Sequence, residues 1–441
     1  MDSRNKIIDI DGEKFIYFGD YMTLYKLGDT CSQQLTMPNF RMSTLTKIFQ
    51  KSNDEMEPIH LASDNPGIDT LCLILTRNCT LRCKYCYAID TNPSDTEQMT
   101  LETAIRAIET MVERNITTDT FYLIFFGGEP MLKFDLIKQI VEYCERNLME
   151  KRNKKIVFSI ITNGTLINSL SAKFFKNKNI YVQISMDGDK YYHDKNRIFA
   201  SGRGSFDVVM KTLEILSTNN VNFNIHSTLS PDTNLFQTIS FFESLQIPFG
   251  YSFSLEAPGV SKTITNYTTK HLKSLMVEFK NLNEFYYDKF KNHKIVFCQN
   301  VMDDIAKIKN RLAKKVACLA GRTVVSILPD GTIISCQNLQ KISMFHQGNV
   351  MNNCNSKFVS AYSVDSIAKC RNCWIKHLCG GGCFYEKYIS NGNIVEPVEA
   401  KCIINRLKYQ YIIGLYVLLE KDNLIPQLEK SIIHTKYQIY V

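Results

Sequence analysis

Between residues 68 and 254 the chain alternates short, almost wholly apolar runs with amphipathic stretches, and this alternation limits the fold more than any other feature. The apolar runs are Thr70 to Thr76, Phe121 to Phe126, Ile156 to Thr162, Ile180 to Ser185, Val221 to Thr228 and Phe249 to Ser254. Helical periodicity fills the intervals near 100–114, 133–149, 166–177, 205–218 and 233–245. Strands that are apolar along their whole length must be covered, so helices between them predict an α/β fold with a parallel sheet. Six such units predict part of a barrel rather than a two-domain dinucleotide fold. No G-x-G-x-x-G follows the first strand, and no G-x-x-x-x-G-K-[ST] occurs anywhere.

The remaining chain divides around this core. Residues 1–66 read as a small mixed module, with alternating runs at Lys14 to Phe18 and Tyr21 to Tyr25 and a helical run near Met42 to Phe49. It ends in the turn-rich Ser63-Asp64-Asn65-Pro66-Gly67. The partial barrel spans 68–260 and a helical bridge 261–315, including Leu272 to Phe290. A cysteine-rich region occupies 316–403, and a helix at Arg406 to Lys421 with a short tail closes the chain over 404–441.

Fifteen cysteines stand out in the composition. The start of the chain has no secretory h-region. The longest apolar stretch, Tyr411 to Leu419, falls well short of the roughly 20 residues a membrane span needs. Together these predict a cytoplasmic protein without a membrane partner, whose thiols ligate metal rather than pair as disulfides. A hydrophobic fraction of 44% excludes a disordered chain, and the formal charge of +8 suits an acidic peptide without requiring one. No arginine-rich arm supports a nucleic-acid partner.

Immediately after the first strand stand Cys79, Cys83 and Cys86, spaced C-x3-C-x2-C with Tyr85 just before the third. A loop leaving a strand can wrap three thiolates around one face of an iron–sulfur cluster and leave one iron free for a chelator. On spacing alone, a zinc site with a distant fourth ligand or a set of reactive thiols stays open. The second strand ends in Gly127-Gly128-Glu129-Pro130, where paired glycines let a ligand approach the backbone closely. The third ends at Asn163, the fourth at Ser185 and Asp187, and Arg197 follows. Polar residues at the carboxyl ends of parallel strands are where small ligands bind in such sheets.

These motifs resemble the radical S-adenosylmethionine (radical SAM) enzymes, over about residues 70–255. The resemblance implies a [4Fe-4S] cluster on Cys79, Cys83 and Cys86, with the methionine end of SAM chelating its open iron. It further implies that the backbone at Gly128 and Glu129 holds the SAM amino group, that Ser185 and Asp187 contact the ribose and methionine side, and that Arg197 meets the carboxylate. Asn163 is a further candidate at the neighbouring strand end. Reductive cleavage of SAM would then yield a 5′-deoxyadenosyl radical, fed by a reduced flavodoxin- or ferredoxin-like donor.

Toward the C-terminus come Cys318, then Gly331-x4-Cys336, then Cys370-x2-Cys373-x5-Cys379-x3-Cys383, and finally Cys402. Thiol density of this kind also suits a zinc ribbon. Beside the first triplet, however, the array resembles the seven-cysteine SPASM domain of radical SAM enzymes that modify peptides and proteins. That implies two auxiliary [4Fe-4S] clusters, three clusters in all, one held by Cys318, Cys336 and Cys383 and the other by Cys370, Cys373, Cys379 and Cys402. The first lacks a nearby fourth cysteine, leaving Cys298, Cys354 or an open iron as alternatives. Cys31, Cys72 and Cys144 read as core residues.

The resemblance points to a ribosomally made precursor peptide with a leader, and to oxidative modification that ends in a cysteine thioether. Peptide epimerisation and carbon–carbon cross-linking are neighbouring alternatives. Sulfatase maturation, with formylglycine as product, is disfavoured by Gln337 where such enzymes carry aspartate and by the long segment before Cys79. The N-terminal module resembles leader-recognition modules, with Lys14 to Phe18 as the edge for strand addition; a packing cap over the barrel is the competing reading. A non-catalytic iron–sulfur electron carrier would explain the clusters but not the open triplet beside G-G-E-P.

Overall fold

The structure is a computed structural model and describes residues 4–28, 67–87, 98–115, 119–254, 266–352 and 359–425. The helical run near 42–49, Cys31 and Cys354 lie outside these residues.

At the start, β1 (Asn5–Ile10), β2 (Glu13–Phe18) and β3 (Thr23–Lys26) form an antiparallel sheet in the order β1-β2-β3. The run at Lys14 to Phe18, expected at an exposed edge, is instead its central strand. Phe15, Ile16, Tyr17 and Phe18 are all buried, so this run needs neighbours on both sides, and the edges fall to β1 and β3. The sheet packs on the cysteine-rich region. The Tyr17 and Trp374 rings meet edge-on at 6.1 Å, and Lys376 Nζ reaches Asp20 Oδ1 at 2.6 Å.

The six expected parallel strands are β4 (Thr70–Ile74), β5 (Thr120–Phe126), β6 (Lys155–Thr162), β7 (Tyr181–Ser185), β8 (Phe223–Leu229) and β9 (Phe249–Phe253), each paired in parallel with the next. Between them run α1 (Leu101–Arg114), α2 (Phe134–Cys144), α3 (Ser169–Asn177), a short α4 (Lys190–Asn196), α5 (Phe206–Thr218) and α6 (Leu235–Leu245). Caps set several starts: Thr100 Oγ1 accepts from Thr103 N, Asn168 Oδ1 from Leu170 N and Ser171 N, and Asp189 from Tyr191 N and Tyr192 N. Leu71, Leu73, Phe125, Ile160, Val182, Ile184 and Ile225 are fully buried in the main core against these helices. Cys72, Ile124 and Ile161 form a separate small cluster on the other face, as the two-residue period of a strand requires.

This sheet is longer than the sequence suggests. Three strands from the cysteine-rich region, β10 (Val324–Ile327), β11 (Thr332–Ile334) and β12 (His346–Asn349), continue it beyond β4. The nine-stranded order is β12-β11-β10-β4-β5-β6-β7-β8-β9, with β10 parallel to β4 and the two outer pairs antiparallel. The result is a mixed, partial barrel-type sheet whose cysteine-rich extension is continuous with it. Long helices α7 (Thr269–Lys291) and α8 (Gln299–Lys309) precede the extension. One-turn α9 (Ala368–Arg371) and α10 (Lys376–Cys379), then α11 (Phe384–Asn391) and α12 (Glu399–Lys421), complete it. No helix among the described residues is long and apolar enough to cross a membrane.

Candidate functional site

Cys79, Cys83 and Cys86 sit on the loop that leaves the carboxyl end of β4. The loop is fixed by Arg82 N donating to Ile198 O at 2.7 Å and Lys84 N to Asn196 O at 3.1 Å. Burial pushes the Cys83 thiol up to about 12; Arg197 opposes this, while Cys86, Asp187 and Cys79 add to it. Burial likewise lifts Cys79 to about 11, with Glu129 and Cys86 contributing. The three thiols are therefore electrostatic neighbours of one another. A bound cation is what would convert such raised thiols to thiolates.

Gly127 and Gly128 answer to the cysteine loop itself. A Cβ on Gly127 would run into the Thr76 carbonyl, and one on Gly128 into those of Arg77 and Asn78. Gly128 N donates to Thr76 O and Glu129 N to Asn78 O, both at 2.8 Å. Their N–H groups thus hold the segment entering Cys79, and only the carbonyls of this turn could face an amino group. The Glu129 side chain is fully buried. It accepts from Thr162 Oγ1 at 2.7 Å, Asn163 N at 2.9 Å and Met131 N at 3.0 Å, tying β5 to the end of β6. Pro130 opens a short 3₁₀ turn. Asn163 Nδ2 reaches Cys79 Sγ at 3.5 Å and Thr80 Oγ1 at 3.0 Å.

Beyond β7, Asp187 is buried and accepts from the Tyr85 hydroxyl and from Thr228 N at 3.0 Å. Arg197 Nε lies 3.0 Å from its Oδ1, and the guanidinium stands 5.5 Å from the Tyr85 ring centre. Burial works against the Arg197 charge, but Asp187, Tyr85 and Cys83 more than restore it. Arg197 and Asp187, expected at different parts of a ligand, are thus paired with each other, leaving the guanidinium's other N–H groups for an anion. Ser185 is half-buried at the end of β7, facing His226 across the ladder. Two supports had no sequence signal. Asp187 N donates to His193 Nδ1 at 3.4 Å, so His193 Nε2–H faces Ser205 Oγ at 2.8 Å, and Ser205 donates to Arg197 O at 2.9 Å.

The C-terminal cysteines fall into two groups. Burial holds Cys336 well above the ordinary thiol value, with Cys383 and Cys318 adding repulsion, and lifts Cys383 to about 12 beside Cys318. Burial likewise lifts Cys370 to about 11, with Cys379 and Cys373 adding to it, and Cys402 to about 12, with Cys379 and Cys370 adding to it. Cys370, Cys373, Cys379 and Cys402 line a single cavity with Gly381 and Gly382, and Cys383 borders the same cavity. Gly380, Gly381 and Gly382 all have positive φ, and a Cβ on Gly380 would stand 2.6 Å from Val316 O. Gly331, with φ +88°, turns β10 into β11 and so delivers Cys336.

Cys298 does not join them. It is fully buried at the N-terminus of α8, bridged to Phe249 of β9, and its charged and hydroxyl neighbours are Glu243 and Tyr286. A core position explains it, since its segment extends the β9 edge. Cys72 and Cys144 are buried as expected. Tyr87, beyond the motif, has both Cys86 and Cys336 as neighbours, and its ring lies 6.5 Å from that of the buried Tyr385.

Among the described residues no group of three or more His, Cys, Asp or Glu converges closely enough to hold a single metal ion. A cluster would interpose its own iron and sulfide between its ligands, so thiols that stand apart from one another are compatible with it.

Residues 73–240 match the radical SAM superfamily. The cysteine-type anaerobic sulfatase-maturating enzyme of Clostridium novyi (strain NT) is 27% identical over 320 residues, which cover 69% of this chain and 85% of that enzyme. The structure of anSMEcpe with bound AdoMet and a Cp18Cys peptide superposes with a TM-score of 0.66 at 21% identity, covering 82% of this chain and 99% of the other. Streptococcus suis SuiB bound to the precursor peptide SuiA gives 0.53 at 15% identity, covering 89% and 97%. The chain contains a radical SAM domain homologous to that of the sulfatase-maturating enzymes, and that catalytic domain makes it an enzyme of oxidoreductase type.

Proposed function

We propose that this enzyme binds SAM at Cys79, Cys83 and Cys86 and oxidises a cysteine-containing segment of a peptide or protein. The observation that carries the reading is the sorting of ten cysteines into the triplet and two further groups, in a chain that aligns along most of a cysteine-type sulfatase-maturating enzyme. When bound, the triplet's cluster and SAM supply a radical able to take hydrogen from an unactivated C–H bond. Arg197, held by Asp187, offers the fixed positive charge for the SAM carboxylate, and the Gly128 turn offers carbonyls for the amino group. Asn224, whose Nδ2 donates to Gln299 Oε1 at 3.1 Å, and His226, beside Ser252 Oγ at 3.1 Å, offer polar contacts for a peptide backbone. Cys318, Cys336 and Cys383 would hold one auxiliary cluster and Cys370, Cys373, Cys379 and Cys402 the other. A flavodoxin- or ferredoxin-like protein is the proposed electron donor.

The comparisons favour formylglycine formation, as in sulfatase maturation, over the thioether expected from sequence. One observation favours the thioether as a second reading. Gln337, next to Cys336 and buried, stands where aspartate was expected for formylglycine chemistry, and an amide cannot take up a proton as a carboxylate can.

Anaerobic reconstitution followed by SAM, dithionite and a cysteinyl peptide distinguishes the two. Exchange of sulfur for oxygen with loss of hydrogen marks formylglycine; a peptide lighter by about two hydrogens and resistant to thiol alkylation marks the thioether. Both require 5′-deoxyadenosine. Replacing Cys79, Cys83 or Cys86 by alanine is expected to abolish it while leaving auxiliary-cluster signals, and retained cleavage would refute the assignment.

A further inference from the structure

Lys387 is 2% exposed, unusual for an ammonium. It lies on α11, whose N-cap is Cys383, and its backbone N–H donates to the Cys383 carbonyl at 3.1 Å. Residues four apart on a helix stand over one another, and side chains lean toward the N-terminus, so the lysine stem runs back over Cys383. It crosses the glycine run: a Cβ on Gly382 would stand 3.9 Å from Lys387 Cε. The side chain lines the same cavity as Cys370, Cys373, Cys379 and Cys402.

The lysine is thus flanked by both auxiliary thiol groups. Its neighbours of opposite tendency are Cys370, Cys379, Cys383 and Cys402, and Lys387 is in turn among the cations acting on Cys318. Glu386 borders the same cavity but pairs with Lys401 at 3.2 Å, and among the described residues the charged neighbours of Lys387 are thiols. Lys314 borders Cys318 and Cys379 as well, but it is only half-buried and has Asp304 nearby. A buried, unpaired ammonium is costly to fold around unless the site brings its own anion. Thiolate-held iron–sulfur clusters are such anions, and their potentials respond to net local charge.

We propose that Lys387 is the shared buried counter-charge of the two auxiliary cluster sites, stabilising both anionic occupants and raising both reduction potentials together. This rests on the reading that each thiol group holds a cluster.

The test uses the full chain with Cys79, Cys83 and Cys86 replaced by alanine, so that only auxiliary signals remain. Iron and sulfide content and EPR-monitored redox titrations are compared for Lys387, Lys387→Arg, Lys387→Gln and Lys387→Met. Lys369→Gln serves as an exposed control, because Lys369 neighbours Cys402 but lies at the surface, where solvent screens it. Both neutral variants should shift both midpoints to more negative values, with Lys387→Arg close to the parent and Lys369→Gln unmoved. Full iron loading with unmoved midpoints, or a shift of one midpoint alone, overturns the proposal. Should the neutral variants fail to load, retention of iron by Lys387→Arg supports the need for charge, and equal loss in Lys387→Arg overturns it. A parent without auxiliary iron and sulfide refutes the cluster reading itself, separately from Lys387.

Discussion

His193 illustrates how a site residue can be invisible in sequence and decisive in structure. Nothing about one histidine in Tyr191-Tyr192-His193-Asp194 marks it, yet it is fully buried and links the backbones of Asp187 and Arg197 through Ser205. Burial, aided by the Arg197 charge, pushes its pKa from 6.5 down to about 3. The unfolded chain therefore takes up this proton first. The stability contributed by neutral His193 is intact above about pH 6.5 and is lost as pH falls toward 3, with a slope of up to about 1.4 kcal/mol per pH unit. His226, lowered to about 4 by burial and Arg197, adds a second proton over part of that window. In His193→Asn the dependence of the denaturation midpoint on pH between 7 and 5 should be shallower than in the parent. Equal slopes would show that His193 is already protonated in the native state. Cys298 is the converse case. The want of a fourth cysteine near Cys318 suggested it as a ligand, and only the pairing of its segment with β9, some fifty residues away in sequence, reveals a core residue.

At the level of elements, both cysteine sites use glycine in the same way. Gly127 and Gly128 let the end of β5 press against residues 76–78 just ahead of Cys79, and Gly380 presses against residues 316–317 just ahead of Cys318. The sequence assigned the freedom of Gly127 and Gly128 to an approaching ligand. The close neighbour is the chain's own backbone, which pattern alone cannot identify. The parallel strands were legible because each is a sustained apolar run. Strands β10 to β12 were not: they are three or four residues long, and β10 finds its partner, β4, about 250 residues earlier. A reciprocal prediction follows from the glycines. Gly128→Ala should deplete the SAM-dependent cluster signal and spare the auxiliary ones. Gly380→Ala, which forces a side chain into a left-handed position at a cost of about 1–3 kcal/mol, should do the reverse. Iron content with EPR of each variant, with and without SAM, checks this; depletion of the same signal by both would refute separate supports.

Across the whole molecule, the N-terminal sheet and the cysteine-rich region meet at Trp374, the only tryptophan in the chain. Its carbonyl would be struck by any Cβ on Gly19, its ring meets Tyr17, and its neighbour in sequence is Cys373. Lys376 Nζ, two residues on, bonds Asp20, and α12 carries Cys402 while packing on β1 and α7. The module at residues 4–28 is therefore attached to the segment that carries Cys370, Cys373 and Cys379. Trp374→Ala removes a side chain that is 92% buried (8% exposed); such truncations cost about 3–5 kcal/mol. Because that loss falls at the junction, amide exchange should accelerate in β1 to β3, and the cluster on Cys370, Cys373, Cys379 and Cys402 should load poorly. SAM cleavage at Cys79, Cys83 and Cys86, on the loop that leaves β4, should persist. Hydrogen exchange by mass spectrometry on the anaerobically reconstituted variant reads the first effect, and iron content beside 5′-deoxyadenosine yield reads the others. Faster exchange confined to β1 to β3, with full iron, would instead make the sheet a separate attachment whose seating does not matter to the cluster site.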